Sequence, residues 1–166
     1  SAVTLVERDD EAAASARARV SGLLDAAVSR GLTSADKAAA QLTSMRFQAG
    51  YDDLQDAGLV IEAVFEDMAV KKDVLAALDS AMPDAVLATN TSYLDIDKMA
   101  GWLADPSRLV GLHFFSPAHI MKLLEIVRGK ATSDMALATG FALAKRLGKL
   151  PVMVGVCDVF VGNRML

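Results

Sequence analysis

The chain has 166 residues, of which 53% are apolar and 23% charged, and its formal net charge is −4. This composition supports a buried core and excludes a disordered chain, while the length fits one domain. The negative charge disfavours nucleic acid or an anionic membrane surface as a partner, and Cys157, the only cysteine, excludes a disulfide within the chain.

No targeting or membrane segment is predicted. The N-terminal stretch SAVTLVERDDEAAA has neither a basic start nor a long apolar run, so we expect no signal peptide. No apolar run approaches the ~20 residues that a membrane-spanning helix requires. The sequence therefore predicts a cytoplasmic protein without membrane association, and we expect no metal site.

The first third of the chain predicts a strand, two helices and a second strand. VTLVE at 3–7 is a β-rich run, and an Ala-rich segment from about Asp10 to Arg30 predicts a helix that the following glycine ends. A Thr/Ser cap signal opens a second, short helix at 33–42. MRFQ at 45–48 predicts a brief strand.

The rest of the chain alternates strand and helix patterns. GLVIEAV at 58–64 is an apolar run broken by one acid, which is typical of buried parallel strands. Helical patterns cover 66–80 and the run SDMALATGFALAKRLGK, with Thr132 or Ser133 as the cap. The other strand candidates are AVLATN, LVGLHF, MKLLEIV and PVMVGV. This alternation predicts an α/β fold with a doubly wound (Rossmann-type), mainly parallel sheet, in one domain over 1–166.

Glu7 ends the first predicted strand and Arg8 follows it. In dinucleotide-binding α/β units, a carboxylate at the end of the second strand accepts hydrogen bonds from the adenosine ribose. Its charge would also repel the 2′-phosphate of NADP. The alternative is that Glu7 and Arg8 only cap the strand.

Asn90 and Ser92 follow the AVLAT strand, at the edge where ligands bind in open α/β sheets. Small polar groups there can hold a ribose or a substrate oxygen. The alternative is a strand-to-helix turn in which Thr91 or Ser92 is the helix N-cap.

His113 follows an apolar run, and Glu125 lies inside the next one. A carboxylate in a core strand needs a partner, because burying an unpaired polar group costs roughly 2–7 kcal/mol. The SPAHI turn around Pro117 lets two neighbouring strands bring imidazole and carboxylate into hydrogen-bond reach. Such a pair can take a proton from an alcohol, since the carboxylate fixes the tautomer of the ring. A structural histidine is the alternative, and His119 in the turn is expected at the surface.

Four runs occur in order: DAGLVIEAVFEDMAVKKDVLAAL, ATNTSYLDI, GLHFFSPAHIMKLLEIVRG and VGNR. Together they resemble the L-3-hydroxyacyl-CoA dehydrogenase family over essentially the whole chain, and the HFF-x-P motif followed by KLLEIVRG is highly specific. The RG-x-x-T ending resembles the multifunctional fatty-acid oxidation enzymes. The resemblance implies NAD-dependent oxidation of an L-3-hydroxyacyl-CoA to the 3-ketoacyl-CoA, in β-oxidation or a related CoA-thioester pathway. The alternatives are a dehydrogenase specific for 3-hydroxybutyryl-CoA and a non-catalytic nucleotide-binding or scaffold module.

The resemblance also implies roles for single residues. His113 is the implied general base and Glu125 its carboxylate partner. Ser92 and Asn163 would hydrogen-bond the reacting oxygen of the substrate. The implied contacts to NAD are Glu7, Ala63, Glu66, Lys71 and Asn90.

The sequence departs from the family pattern at three places. No GxGxxG motif occurs, so we expect an N-terminally truncated domain that lacks the first strand and its Gly-rich loop. Ser116 stands where many members have Asn. We expect the given sequence to lack the helical domain that completes the cleft and forms the dimer in this family. We therefore expect the isolated chain to bind NAD weakly without turnover, and the complete protein to be a homo-oligomer.

Overall fold

The computed structural model describes residues 2–156, and the chain divides into two compact units, residues 1–52 and 53–166. Each unit has its own sheet and its own helices. The prediction of one domain over residues 1–166 stays a prediction.

The first unit holds a parallel pair of strands and two helices. Strand β1 (Val3–Glu7) pairs in parallel with β2 (Met45–Ala49), and Glu7 lies opposite Ala49. Between them the chain forms α1 (Asp10–Ser29) and α2 (Ala35–Thr43). All four elements were predicted, with bounds that differ by no more than a residue or two.

Both helices begin at residues that satisfy their first backbone N–H groups. The Asp9 side chain accepts from the Ala12 N–H at 2.7 Å, and the Ser34 side chain accepts from the Lys37 N–H at 3.3 Å. Gly31 follows α1 with φ 69°, the left-handed conformation that glycine adopts without a steric penalty. Local sequence signals therefore fix both helices.

The second unit alternates strands and helices along the chain. Its elements are β3 (Leu59–Glu62), α3 (Met68–Ala81), β4 (Val86–Thr89), α4 (Ile96–Ala100), a 3₁₀ turn (Pro106–Arg108), β5 (Leu109–Phe114), β6 (Leu123–Arg128), α5 (Asp134–Arg146) and β7 (Leu150–Gly155). The five strands and both long helices match the predicted ones. Of the two alternatives for the cap of α5, Ser133 is correct, since its side chain accepts from the Ala136 N–H.

The five strands form one sheet in the order β3-β4-β5-β6-β7. Three of the four neighbouring pairs are parallel, and β5 and β6 are antiparallel. The connection over residues 115–122 is too short for the crossover that parallel neighbours require, so the chain turns back directly. The predicted α/β fold with a mainly parallel, Rossmann-type sheet is confirmed.

Side chains alternate between the two faces of this sheet. The face under α5 carries the main apolar core of the unit, which comprises Val86, Ala88, Val110, Leu112, Leu124, Ile126, Ala136, Leu137 and Ala144. On the opposite face Ile96 of α4 packs against Gly111, because a Cβ there would overlap the Ile96 side chain and would also lie 2.6 Å from Cβ of Val127. By alternation, His113 and Glu125 belong to this second face. Within residues 2–156 no helix has the length and apolar composition needed to cross a bilayer.

Candidate functional site

The candidate site of the second unit lies where three parallel strands end. Glu62 is the last residue of β3, Thr89 is the last of β4, and Phe114 is the last of β5. Because β3, β4 and β5 are parallel, their carboxyl ends share one edge of the sheet. This is the edge at which open α/β sheets bind ligands.

His113 and Glu125 are direct partners across the antiparallel pair β5–β6. Nδ1 of His113 lies 2.7 Å from Oε2 of Glu125, and the two residues are 7% and 1% exposed. A carboxylate only accepts hydrogen bonds, so Nδ1 of the ring is the donor in this contact. The hydrogen-bond contact expected from the sequence is therefore present. The same register places both side chains on one face, because directly opposed residues of an antiparallel pair point the same way.

An aromatic ring also orients the imidazole. The ring of Phe115 lies 4.5 Å from that of His113, centroid to centroid, with 48° between the planes. This tilted contact is within the usual range for stacked aromatic pairs. His113 is thus held from two sides, by a carboxylate and by an apolar ring. His119, as expected, is exposed in the turn.

Ser92 lies in the turn after β4 and is bound to Glu66. Oε1 of Glu66 accepts from the Ser92 N–H at 2.7 Å, from the Ser92 hydroxyl at 3.2 Å and from the Thr91 hydroxyl at 2.6 Å. The alternative in which Thr91 or Ser92 caps a helix is wrong, because α4 begins at Ile96 and Asp95 caps it. The turn residues instead coordinate a carboxylate.

The surroundings of Glu66 favour its ionised form. Partial burial of the carboxyl group opposes ionisation. The hydrogen bonds from Thr91 and Ser92, together with the nearby Lys71 ammonium, outweigh that effect and hold the pKa of Glu66 below its usual 4.5. Glu66 is therefore a carboxylate at neutral pH.

Lys71 lies behind Glu66 and is fully buried. Its ammonium lies 3.0 Å from both carboxylate oxygens of Glu62 and 3.3 Å from Oε2 of Glu66. The Thr89 hydroxyl donates to Glu62 from the neighbouring strand. One cation thus lies between two carboxylates, and three elements of the unit meet there.

Asn90 connects the turn after β4 to the end of β5. Its Oδ1 accepts from the Phe114 N–H at 2.9 Å, and its own N–H donates to the Glu62 carbonyl at 2.9 Å. Because Oδ1 is the acceptor, the amide orientation is fixed and the NH₂ group is the donor available to a ligand. Phe114 directly follows His113, so this bond ties the Asn90 turn to the histidine strand.

Glu7 belongs to the first unit. It ends β1, is half-buried, and its Oε1 lies 3.6 Å from Nη2 of Arg19 on α1. Arg8 instead pairs with Asp9 at 3.0 Å. A surface cleft of about 370 Å³ is lined by Glu7, Arg8, Asp9, Glu11, Ala12, Ser15 and Arg19. Arg8 thus does not neutralise Glu7, which keeps its position at the carboxyl end of the strand.

The structure brings most of the predicted site residues of the second unit together. His113 pairs with Glu125, and Ser92 pairs with Glu66. Ala63 is exposed directly after β3. The prediction for Asn163 lies outside the described residues.

Sequence reasoning missed Glu62 and Thr89. The signal that points to Glu62 is the single acid inside the apolar run GLVIEAV. An acid within a buried strand needs a partner for the same reason as Glu125. That partner is Lys71, nine positions further along the chain.

Three comparisons place the chain among known proteins. Residues 1–157 match the family model described as "3-hydroxyacyl-CoA dehydrogenase, NAD binding domain". The chain is 45% identical over 166 residues to the peroxisomal bifunctional enzyme of Danio rerio. This match covers 99% of the chain and 22% of that protein. It is 42% identical over 147 residues to the fatty acid oxidation complex subunit alpha of Pseudomonas putida, covering 88% and 21%. The chain thus spans about a fifth of these curated relatives.

Solved structures show the same architecture. The (S)-3-hydroxybutyryl-CoA dehydrogenase of Ralstonia eutropha superposes with a TM-score of 0.95 at 34% sequence identity. The match covers 99% of this chain and 58% of that one.

Proposed function

The chain belongs to the 3-hydroxyacyl-CoA dehydrogenase family, and from this membership we propose that the complete protein oxidises an L-3-hydroxyacyl-CoA to the 3-ketoacyl-CoA with NAD. The observation that carries the proposal is the His113–Glu125 pair, at 2.7 Å on adjacent strands of a Rossmann-type sheet. The fold and family fit β-oxidation or a related CoA-thioester pathway.

The residues present fit NAD as the coenzyme. Glu7 offers a half-buried carboxylate at the end of β1, where ribose hydroxyls can donate to it. Asn90 offers an amide of fixed orientation at the carboxyl edge of the second unit's sheet. Ala63 and Glu66 complete the proposed set of direct coenzyme contacts, and Lys71 supports that set from behind Glu66, 3.3 Å from its Oε2. When bound, NAD supplies the acceptor for the hydride that leaves carbon three of the substrate.

His113 is the proposed general base. Glu125 holds the proton on Nδ1, so Nε2 takes the proton of the substrate's 3-hydroxyl as the hydride leaves the same carbon. The ring becomes an imidazolium, and the buried carboxylate of Glu125 stabilises that positive charge. The negative charge of Glu125 thus matters most during the chemical step.

Ser92 and Asn163 are the proposed partners of the reacting oxygen. Ser92 is anchored through its N–H to Glu66 at 2.7 Å, which fixes its position in the turn after β4. Its hydroxyl has one proton, which it donates to Glu66 at 3.2 Å and would turn toward the reacting oxygen when the substrate binds. Hydrogen bonds to an oxygen that gains charge in the transition state are among the largest contributions to catalysis. The role of Asn163 rests on the family resemblance.

The wider setting of the protein is also a proposal. The sequence similarity to a bifunctional enzyme and to a fatty acid oxidation complex subunit supports a multifunctional full-length protein that acts on acyl-CoA thioesters. We propose a cytoplasmic homo-oligomer, although four relatives, that of Danio rerio among them, are named as peroxisomal. Specificity for 3-hydroxybutyryl-CoA is the second candidate, supported by the likeness to the Ralstonia eutropha enzyme.

The test replaces His113 in the full-length protein. His113→Gln should lower kcat by roughly 10²–10⁴, the usual contribution of general acid–base catalysis. NADH absorbance is followed with 3-hydroxyacyl-CoA substrates of different chain lengths, which also separates the two substrate candidates. His119→Gln is the matched control, because that histidine is exposed in the turn.

Two results would contradict the proposal. If His113→Gln kept wild-type turnover, the histidine would not be the base. If the wild-type full-length protein bound NAD but oxidised no 3-hydroxyacyl-CoA, the non-catalytic nucleotide-binding module would be the correct description.

A further inference from the structure

The Lys71 ammonium makes all its contacts inside the protein. Its acceptors are both oxygens of Glu62 at 3.0 Å, Oε2 of Glu66 at 3.3 Å and the Val64 carbonyl at 3.4 Å. An ammonium has three protons, and these four oxygens already use them. Lys71 is also 0% exposed. Its charge therefore acts on neighbouring protein groups and does not face the surface.

Stability alone does not account for this cluster. Removing charges from water is costly, and well-packed apolar residues in place of a buried ion pair are often neutral or stabilising. The cluster of Glu62, Lys71 and Glu66 moreover holds two carboxylates for one cation. The arrangement is explained if the cluster serves to fix the position of the Glu66 carboxylate.

Glu66 is the member that connects the cluster to the candidate site. Its Oε2 contacts Lys71, while its Oε1 accepts the N–H and the hydroxyl of Ser92. The carboxylate is thus held at one oxygen from inside the unit and at the other by the turn that carries Ser92. Any displacement of the ammonium would move Glu66 and, with it, the hydroxyl.

We propose that Glu62 is a positioning residue of the dehydrogenase site. Glu62 fixes the Lys71 ammonium, the ammonium fixes Glu66, and Glu66 holds the Ser92 hydroxyl. This inference rests on the proposed function for the role of Ser92. Glu62 contacts neither substrate nor coenzyme in this arrangement. Lys71 likewise acts through Glu66, and not by a direct contact with the dinucleotide.

The kinetic test is a double-mutant cycle in the full-length protein. Glu62→Gln should lower kcat roughly 10- to 100-fold, less than the 10²–10³ lost when a donor to a reacting oxygen is removed outright. The KM for NAD should change little. Glu62→Asp keeps the charge and should restore part of kcat. In a Lys71→Met background Glu62→Gln should cost nothing further, because its effect passes through the ammonium.

A matched control separates positioning from stability. Asp79 near the other end of α3 pairs with Arg108, and both side chains are largely buried. Asp79→Asn also removes a carboxylate from an ion pair on this helix. It should lower the melting temperature and leave kcat unchanged. If Glu62→Gln behaved in the same way, the positioning role would be wrong.

A second readout does not depend on activity. Carbon NMR can follow the titration of the Glu66 carboxyl in the protein without ligands. Lys71→Met should raise the pKa of Glu66, because the cation beside it is lost. Glu62→Gln should lower it, because the ammonium then turns toward Glu66 alone. If the wild type lacked turnover but both shifts occurred, the proposed function would fail while the coupling stood. If neither substitution moved the titration, the coupling itself would be refuted.

Discussion

Replacing Glu125 by Gln tests the role of one buried charge at nearly constant shape. Glu125 is 1% exposed, and its Oε2 lies 2.7 Å from Nδ1 of His113. Glutamine keeps an acceptor oxygen at that place, so the ring can still donate from Nδ1. The substitution therefore removes the negative charge and keeps an acceptor for Nδ1.

The expected loss of activity follows from the strength of that contact. A net hydrogen bond to a charged group is worth about 1.5–3 kcal/mol, against about 0.5–1.5 kcal/mol for a neutral one. The attraction between two unit charges about 4 Å apart reaches about 4 kcal/mol at an effective dielectric constant of about 20, which sets the upper bound. The barrier for forming the His113 imidazolium should therefore rise by about 1–4 kcal/mol. Since about 1.36 kcal/mol corresponds to a tenfold change in rate, kcat should fall roughly 5- to 1000-fold.

The fold should survive this change. The glutamine oxygen remains an acceptor for Nδ1 of His113, so we expect a stability loss of only about 1 kcal/mol. Activity is measured in the full-length protein by NADH absorbance, and thermal unfolding is followed by circular dichroism. Asp134→Asn is the control, because Asp134 pairs with Arg128 at the exposed end of β6, where a surface ion pair contributes little. A Glu125→Gln variant with wild-type kcat would refute the assigned role, as would a loss of activity that merely follows unfolding.

Three further predictions concern the coenzyme, backbone packing and pH. Glu7→Ala should weaken NAD binding and narrow the preference of the full-length protein for NAD over NADP. Equal catalytic efficiency of the unmodified full-length protein with NAD and NADP would contradict this prediction. Gly111→Ala should destabilise the protein by about 1–3 kcal/mol, since its Cβ would lie 2.6 Å from Cβ of Val127. Gly22→Ala inside α1, where nothing lies within 4 Å, should stabilise it by about 0.5–1 kcal/mol; denaturant unfolding of both variants tests the contrast. Because the pKa of Glu66 is lowered in the folded protein, its contribution to stability is present above about pH 4.5 and is lost as the pH falls through the folded pKa. The difference in unfolding free energy between the wild type and Glu66→Gln should therefore shrink when unfolding is measured in acid.

Local signals in the sequence determined the elements of the fold. Asp9 and Ser34 accept the first helical N–H groups, and a glycine with positive φ follows α1. These interactions span only a few residues, so each can be predicted without the rest of the chain. The alternation of the strand and helix patterns then predicted the sheet type.

The pairing of His113 with Glu125 was also accessible from the sequence. A carboxylate in an apolar strand demands a partner, and the connection between the two strands is short enough to make them neighbours. The resemblance to a known family supplied the chemistry of that pair. The geometry adds the register, in which the two residues face each other directly.

Only the tertiary structure decided the cluster around Lys71. Glu62 at the end of β3 contacts Thr89 at the end of β4, and Ser92 in the turn after β4 reaches Glu66, because β3 and β4 are parallel neighbours with their carboxyl ends at one edge. Nothing in the local sequence distinguishes a buried lysine in α3 from an exposed one, since both fit a helix equally well. Burial of the ammonium among two carboxylates depends on strand order and register, which are long-range properties of the folded chain.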